Sequence, residues 1–221
     1  MSTTRALLAA ITLCVLGAQQ GFAQTAPTMT FFVTSVAIGD GGNLGGLEGA
    51  DRHCQMLAAA VGGGQRMWRA YLSTQGPGAV NARTRIARGP WFNNNWRNAK
   101  GEIVTRNVGE LHVEQGRVAG EITDNKVGRD TALNEKGEPV SMHDILTGSR
   151  PDGTAFPVGT SDKTCGNWTS NSAGAAQVGH HDRIGEGEGG ASWNSAHETQ
   201  GCSQKNLTAT GGAGLFYCFA Y

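Results

Sequence analysis

The sequence lacks an excess of charge of either sign. Its 221 residues include 18 Lys and Arg and 18 Asp and Glu, so the formal net charge is zero. Proteins that bind nucleic acids carry a basic excess or a basic stripe, and the balance here argues against that class of partner. Charged residues make up only 16% of the chain, which is low for a cytosolic enzyme. We therefore expect no nucleic-acid partner.

Long hydrophobic runs are also missing. The apolar segment at residues 6–17 is too short to cross a bilayer, which takes about 20 apolar residues. Arg5 precedes this segment, and Gly21 and Ala23 follow it, a pattern typical of a cleaved secretion signal. A buried N-terminal helix is the alternative. The sequence predicts a signal peptide over residues 1–26, an exported domain over residues 27–221 in the periplasm or outside the cell, and no membrane-spanning segment.

Cysteines are few, and their number is informative. Of the five, Cys14 lies in the predicted signal, which leaves Cys54, Cys165, Cys202 and Cys218 in the mature chain. Four cysteines in an exported protein predict two disulfides, with three possible connectivities. A zinc site built from cysteines is the alternative, but the sequence has no C-x2-C pair. We expect disulfides.

Local patterns predict a mixed α+β domain. The clearest helix spans residues 47–61, because apolar residues recur there at helical spacing. Its expected buried positions are Ala50, Cys54, Leu57, Ala58 and Val61. Further predictions are strands at residues 30–36, 67–74, 145–147, 165–170 and 214–221 and a short helix at residues 80–87. The 34 glycines follow no collagen period and favour many turns and long ordered loops, above all in the irregular stretch 91–157.

Several short motifs along the chain resemble one family. They are FFVTS at residues 31–35, GGLEGADRHC at 45–54, MWRAYLS at 67–73, VNAR at 80–83, GPWFN at 89–93, HDILTG at 143–148, CGNWTS at 165–170 and GGAGLFYC at 211–218. Together they resemble a secreted bacterial lectin family with a C-type-lectin-like, endostatin-related fold. The resemblance covers nearly all of the mature chain, residues 31–220.

This resemblance implies a fold and a function. In C-type-lectin-like domains the first helix is tied to the last strand and a second bridge fixes the loop half, which implies the nested pairing Cys54–Cys218 and Cys165–Cys202. It also implies a single α+β domain with a mixed or antiparallel sheet, one main N-terminal helix and long ordered loops. The implied function is non-catalytic binding of a glycan or glycoprotein.

The calcium ligands of sugar-binding C-type lectins are poorly matched. Those lectins use a Glu-Pro-Asn or Gln-Pro-Asp tripeptide and a Trp-Asn-Asp tripeptide, since calcium takes six to eight oxygen ligands. Residues 193–195 read Trp-Asn-Ser, with serine in place of the charged ligand, and residues 156–158 keep only the proline. We predict that the standard calcium site is absent and expect no cofactor. Calcium bound elsewhere is an open alternative, through Asp152, Asp162, Asp182 or Glu186.

Aromatic and amide side chains in the second half of the chain are the predicted sugar ligands. An aromatic face with a few fixed polar groups is a common design for a ligand site. The predicted ligand-binding residues are Trp193, Asn194, Trp168, Asn167 and Asn171. The alternative is that the two tryptophans are core residues beside a disulfide. The segment WFNNNW at residues 91–96 is a second candidate surface, with a packed loop as its alternative.

Histidines provide an alternative of a different class. His180, Asp182 and His197 could bind zinc or supply a base, which would make the protein a metal-dependent hydrolase. The sequence contains no HExxH, GxSxG or P-loop motif, and we therefore predict that it is not an enzyme.

Another alternative is an adhesin or interaction module that binds extracellular protein through the same loop surface.

The arginines at positions 83, 85, 88 and 97 provide the last alternative. By analogy with endostatin-like domains, they would form a basic face for an anionic polysaccharide, and the alternative is that they pair with acidic neighbours. Binding at such a face should weaken with salt.

Overall fold

A computed structural model of the chain describes residues 28–87, 95–112, 127–182 and 192–221, which form a mixed α+β structure, as predicted. The helices are α1 (Gly46–Ala60), α2 (Ala82–Ile86), α3 (Val108–Leu111), α4 (Cys165–Trp168) and α5 (Gln204–Ala209). The strands are β1 (Phe31–Val33), β2 (Trp68–Ala70), β3 (Trp96–Arg97), β4 (Ile103–Thr105), β5 (Asp144–Leu146), β6 (Gln177–His180), β7 (His197–Glu198) and β8 (Gly212–Ala220). No helix within these ranges combines the length and the apolar character that crossing a membrane requires. The predicted signal peptide lies outside the described residues.

The C-terminal strand β8 is the centre of the main sheet. It pairs antiparallel with β1 and β2 and parallel with β5. From β5 the sheet continues through antiparallel pairs to β6 and then β7, so it is mixed, as expected. Strands β3 and β4 form a separate two-stranded sheet. The last strand therefore joins the N-terminal elements to β5, β6 and β7.

Alternating residues of β8 fill two apolar cores. Phe216 and Cys218 belong to the core that α1 covers, whereas Tyr217 and Phe219 belong to the other. This follows from the strand geometry, in which successive side chains point to opposite faces. The predicted stripe of α1 is confirmed: Ala50, Cys54, Leu57 and Ala58 are buried, and Val61 lies half-buried just past the helix end.

The two disulfides have the nested pairing that the resemblance implies. Cys54 of α1 is bonded to Cys218 of β8, and Cys165 of α4 is bonded to Cys202. All four cysteines are fully buried. The first bridge fixes the main helix on the central strand, and the second ties α4 to the segment before α5.

One local prediction is wrong and another is incomplete. The CGNWTS segment does not form a strand, because its first four residues form α4. The irregular stretch 91–157 contains β5, close to the strand predicted at residues 145–147, and also β3, β4 and α3, which were not predicted. These elements are two to four residues long and therefore too short to leave a periodic pattern in the sequence.

Candidate functional site

The backbone of α4 coils in the left-handed sense. The φ angles are 48° at Cys165, 61° at Gly166, 56° at Asn167 and 68° at Trp168. This conformation costs an L-residue about 1–2 kcal/mol, and only glycine adopts it freely. Three of the four residues are not glycine, so the surrounding structure must hold the turn in place. Strain of this kind is found preferentially at functional sites.

Hydrogen bonds from the preceding residues hold the start of α4. The Oδ2 atom of Asp162 accepts a hydrogen bond from the backbone N–H of Gly166 at 2.8 Å. The hydroxyl oxygen of Thr164 accepts one from the backbone N–H of Asn167 at 3.1 Å. The Oδ1 atom of Asp162 accepts from both the N–H and the hydroxyl of Thr164. These bonds satisfy donors that a left-handed turn would otherwise leave free.

Trp168 anchors the end of α4 in the core. Its side chain is fully buried, and its indole N–H donates to the Ser73 carbonyl at 2.8 Å. A Cβ atom at position 148 would lie 2.7 Å from Cζ2 of this indole, so Gly148 is needed for the ring to fit. The prediction that Trp168 offers its face to a sugar is therefore corrected. Its indole is buried in the core and stabilises the turn from the interior of the protein.

A shallow polar pocket of about 230 Å³ lies beside α4. Asn167 lines it and clamps the backbone of Gln75, with Oδ1 accepting from the N–H at 2.7 Å and Nδ2 donating to the carbonyl at 3.2 Å. The Gln75 side chain in turn donates to the Thr160 hydroxyl at 2.7 Å and accepts from the backbone N–H of Lys163 at 2.9 Å. Asn171, also predicted as a ligand, is exposed, does not line this pocket and donates to Asp40 at 2.6 Å.

Trp193 and Asn194 belong to a buried network. Trp193 is 6% exposed, contacts Tyr71 ring to ring, and donates its indole N–H to the Leu111 carbonyl at 3.1 Å. The Nδ2 atom of Asn194 donates to the Tyr71 hydroxyl at 2.9 Å, and that hydroxyl lies 2.7 Å from Nε2 of His112. These contacts correct the prediction that Trp193 and Asn194 bind ligand directly, because neither side chain reaches the surface.

The protonation of His112 follows from its partners. The Val108 carbonyl, 2.8 Å from Nδ1, can only accept, so Nδ1 carries the proton and Nε2 accepts from the Tyr71 hydroxyl. Burial lowers the pKa of His112 to about 4; the hydrogen bond to Val108 opposes this, the charge of Arg83 adds to it, and Asp152 opposes it. Burial also raises the pKa of the Tyr71 phenol. Both groups are neutral in the folded protein at neutral pH.

Acidification should destabilise the protein through His112. Between pH 6.5 and pH 4 the unfolded chain binds a proton at this position that the folded chain does not, so stability is lost as the pH falls. The full loss is about 3 kcal/mol. Denaturant unfolding at several pH values should show a shallower pH dependence for His112→Gln than for the wild type. Equal slopes for the two proteins would contradict the assignment.

The aspartates considered for calcium have separate partners. Asp152 accepts from the Thr154 N–H and hydroxyl at 3.0 and 2.6 Å, Asp162 caps α4, and Asp182 contacts a histidine described below. Among the described residues these three form no common group at metal-ligand distances. Glu186 lies outside those residues.

Three histidines surround Asp144 at the start of β5. Its Oδ1 atom lies 3.0 Å from Nε2 of His180, 3.4 Å from Nε2 of His197 and 3.9 Å from Nε2 of His143. The ring centroids of His143 and His180 are 3.8 Å apart, and those of His180 and His197 are 4.7 Å apart. Asp182 contacts the far side of the His143 ring, with its Oδ1 2.7 Å from Nδ1. We refer to His143, Asp144, His180 and His197 as the Asp144 cluster.

Sheet register brings this cluster together. Asp144 of β5 lies opposite His180 of β6, and Val178 of β6 lies opposite His197 of β7. Because side chains two residues apart share a face, His197 lies diagonal to His180 on the same face. His181 follows in the chain but turns away, with its Nε2 3.0 Å from the Met142 carbonyl.

The cluster revises the predicted metal ligands. His180 and His197 do come together, as the sequence suggested, but Asp182 joins them only through His143. His143 and Asp144 were not predicted as ligands, although they form the first two letters of the HDILTG motif. The sequence feature that could have identified these two ligands is a His-Asp pair directly before the predicted strand at residues 145–147.

Burial and charge set the protonation around the cluster. Burial lowers the pKa of His180, and the hydrogen bond to Asp144 opposes this only in part. For Asp182 burial raises the pKa, but the hydrogen bond and the charge of His143 outweigh it, so the pKa falls below its usual value. Asp182 is therefore a carboxylate at neutral pH and a fixed acceptor for His143.

Two of the described arginines do not contribute to the predicted basic face. Arg85 is 9% exposed and paired with Asp51 at 2.5 Å, and Arg97 donates to the Gly101 carbonyl at 2.7 Å. Arg88 and most of the 91–96 segment lie outside the described residues. Trp96 at its end is fully buried in the core.

Comparisons with known proteins identify no relative: no protein-family model matches the chain, and no curated protein matches its sequence significantly. The resemblance to bacterial lectins stays a prediction from the sequence motifs.

Proposed function

We propose that the protein is an exported, non-catalytic binding protein that takes carbohydrate in the polar pocket beside α4. The observation that carries this proposal is the left-handed turn, in which three non-glycine residues keep a costly backbone conformation at the rim of a pocket. A strained backbone persists only where many contacts enforce it, and such positions concentrate where groups are arranged for a ligand.

The chemistry of the pocket favours a neutral polyhydroxyl ligand. Amide and hydroxyl groups from Asn167, Gln75 and Thr160 line it. Beside their bonds within the loop, the Asn167 amide keeps a second N–H and the Gln75 amide oxygen a second lone pair, so the pocket can both donate to and accept from sugar hydroxyls. Both oxygens of Asp162, the carboxylate among the lining residues, are already occupied by hydrogen bonds within the loop. No residue of the pocket therefore selects for a cation or an anion.

The walls of the pocket are pre-organised in the absence of a ligand. The paired bonds between Asn167 and the Gln75 backbone, and between the Gln75 side chain and two neighbouring loop positions, fix its walls. A pre-organised site loses less conformational entropy on binding than a flexible one. Trp168 contributes by holding α4 from the core, so the direct contacts with the ligand are assigned to Asn167 and its neighbours.

Fold and location belong to the same proposal. A mixed sheet, a helix–strand disulfide and a second bridge in the loop half are the features that favour a C-type-lectin-like fold. Two disulfides, together with the apolar segment after Arg5, favour export to an oxidising compartment. Because the standard calcium ligands are absent from the sequence, binding is expected to be independent of calcium.

A glycan array on the mature protein, run with calcium and again with EDTA, tests this proposal. We expect selective binding in both buffers. Asn167→Gly should weaken it about tenfold or more, because the change removes the rim amide while glycine accepts the left-handed φ angle. Asn171→Ala is the matched control: this exposed amide lies outside the pocket, and its removal should leave affinity unchanged.

Three results would count against the proposal. Absence of binding by a protein with both disulfides intact would remove carbohydrate as the ligand and favour the protein-binding alternative. Binding abolished by EDTA would overturn the calcium-independent mechanism. Equal losses of carbohydrate affinity in Asn167→Gly and Asn171→Ala would show that the binding site lies outside the pocket.

A further inference from the structure

We propose that the Asp144 cluster is a zinc site in which His143, His180 and His197 each offer Nε2 and Asp144 offers a carboxylate oxygen. The site shares no residue with the polar pocket and does not depend on the carbohydrate proposal. Three features of the cluster lead to it: the protonation of two rings, an unsatisfied buried carboxylate oxygen, and the distances between the converging atoms.

The protonation of His143 leaves a lone pair pointing into the cluster. The Oδ1 atom of Asp182 lies 2.7 Å from Nδ1 of His143 and accepts its hydrogen bond, so Nδ1 carries the proton in the neutral ring. In the neutral ring Nε2 then has a free lone pair. This atom is buried and has no hydrogen-bond partner among the described residues. A histidine that donates one ring N–H to a carboxylate and turns the other nitrogen inward is the usual arrangement around a bound metal.

His197 has the same arrangement. Its Nδ1 lies 2.9 Å from the backbone carbonyl of Glu198, which also can only accept, so Nδ1 is the donor. Its Nε2 therefore also presents a lone pair to Asp144 in the neutral ring, at 3.4 Å from Oδ1. The Nε2 lone pairs of His143 and His197 would repel the Asp144 carboxylate unless a positive charge lies between the nitrogens and the carboxylate. That positive charge is either a metal ion or a proton.

Asp144 carries the second feature. Its side chain is 1% exposed, and its Oδ2 atom has no hydrogen-bond partner among the described residues. Burial of a carboxylate oxygen without a partner costs more free energy than a single hydrogen bond contributes. A cation bound to Asp144 would neutralise this charge.

The distances fit a metal rather than a loose polar cluster. In a tetrahedral zinc site with bonds of about 2.0–2.1 Å, ligand atoms lie about 3.4 Å from one another. The three Nε2 atoms lie 3.0, 3.4 and 3.9 Å from Asp144 Oδ1. The ligand atoms of His143, Asp144 and His180 all lie within 4.8 Å of one another, in a group that does not include His197. Three of the four ligands therefore already lie together, and the His197 side chain must move to complete the shell.

The ligand set favours a transition metal such as zinc over calcium or magnesium. Three imidazoles and one carboxylate suit zinc, whereas calcium and magnesium require oxygen ligands. Four protein ligands would fill a tetrahedral shell and leave no position for substrate, which describes a structural ion rather than a catalytic one. Such an ion would clamp β5, β6 and β7 together. Access for the ion is provided at His197, whose side chain is 40% exposed.

Isothermal titration of zinc into the mature protein, first freed of metal by a chelator, tests the site. We expect one zinc ion per chain, undisturbed by excess calcium, and a higher melting temperature with zinc than without. His197→Ala should weaken zinc binding at least tenfold. This ligand is chosen because its side chain is 40% exposed, so its removal should preserve the fold. Asp182→Asn, a change at a positioning residue, should weaken it about 10–100-fold. His53→Gln is the control, since His53 lies outside the cluster and contacts the Val36 carbonyl.

The possible outcomes separate the metal from the proton. Failure of the metal-free wild type to bind zinc, with both disulfides intact, would overturn the proposal and leave a protonated histidine as the cation beside Asp144. Zinc bound equally well by His197→Ala and the wild type would place the ion elsewhere and also overturn it. Loss of binding in His53→Gln as well would show that the effect is not specific to the cluster. Cobalt, whose visible absorption is intense only in four-coordinate sites, should give that spectrum in the wild type and lose it in His197→Ala.

Discussion

Replacing Cys54 and Cys218 together by alanine should lower the free energy of unfolding by about 5 kcal/mol. The two cysteines are 164 residues apart, so their bridge closes a loop that includes almost all of the described chain. In the chain-entropy account a disulfide acts mainly by restricting the unfolded chain, and the effect grows with the logarithm of the loop length. Guanidinium unfolding of the mature double variant and the wild type, at equal pH, measures the difference.

The inner bridge provides the matched comparison. Cys165 and Cys202 are 37 residues apart, and the same relation gives about 4 kcal/mol for their replacement by alanine. That change also removes an anchor of α4, so we expect it to affect carbohydrate binding more than the outer change does. A loss well below 2 kcal/mol for the outer pair would contradict the loop argument. It would indicate that α1 stays on β8 through packing alone.

The elements that could be predicted from the sequence are those with long local patterns. The stripe on α1 and the apolar run of β8 extend over enough residues for their period and composition to be recognised. The nested disulfide pairing is also the one that was expected, although that prediction came from the family resemblance and not from a local sequence pattern. Strand ends were less accurate: β1 and β2 are three residues each, shorter than the apolar runs that contain them.

The candidate sites depend on contacts that local patterns do not contain. Residues Cys165 and Trp168 take positive φ angles because a disulfide, a buried indole and Asp162 hold them there, and no spacing rule signals a left-handed turn. The Asp144 cluster likewise gathers residues from three strands, 53 positions apart between Asp144 and His197. Sequence inspection found two of its histidines through their residue type, and missed the carboxylate at the centre.

Replacing Trp193 by alanine should destabilise the protein by about 3–5 kcal/mol. The indole is 6% exposed and packs against Tyr71 and Tyr217, with ring centroids 4.8 and 5.1 Å away. Its removal leaves a cavity in the second core and frees the buried Leu111 carbonyl that it binds. Thermal or denaturant unfolding of the variant measures the loss.

The consequence for function is that weaker carbohydrate binding by Trp193→Ala would not by itself locate the sugar site. A core indole affects the pocket only through the fold, so its binding defect should follow the fraction of unfolded protein and should disappear under conditions where the variant is fully folded. Trp193→Phe keeps an aromatic ring in the core and should restore most of the stability. Asn167→Gly should behave in the opposite way, losing affinity while the protein stays folded. A fully folded Trp193→Ala that has lost binding would contradict the structure and return this tryptophan to the ligand surface.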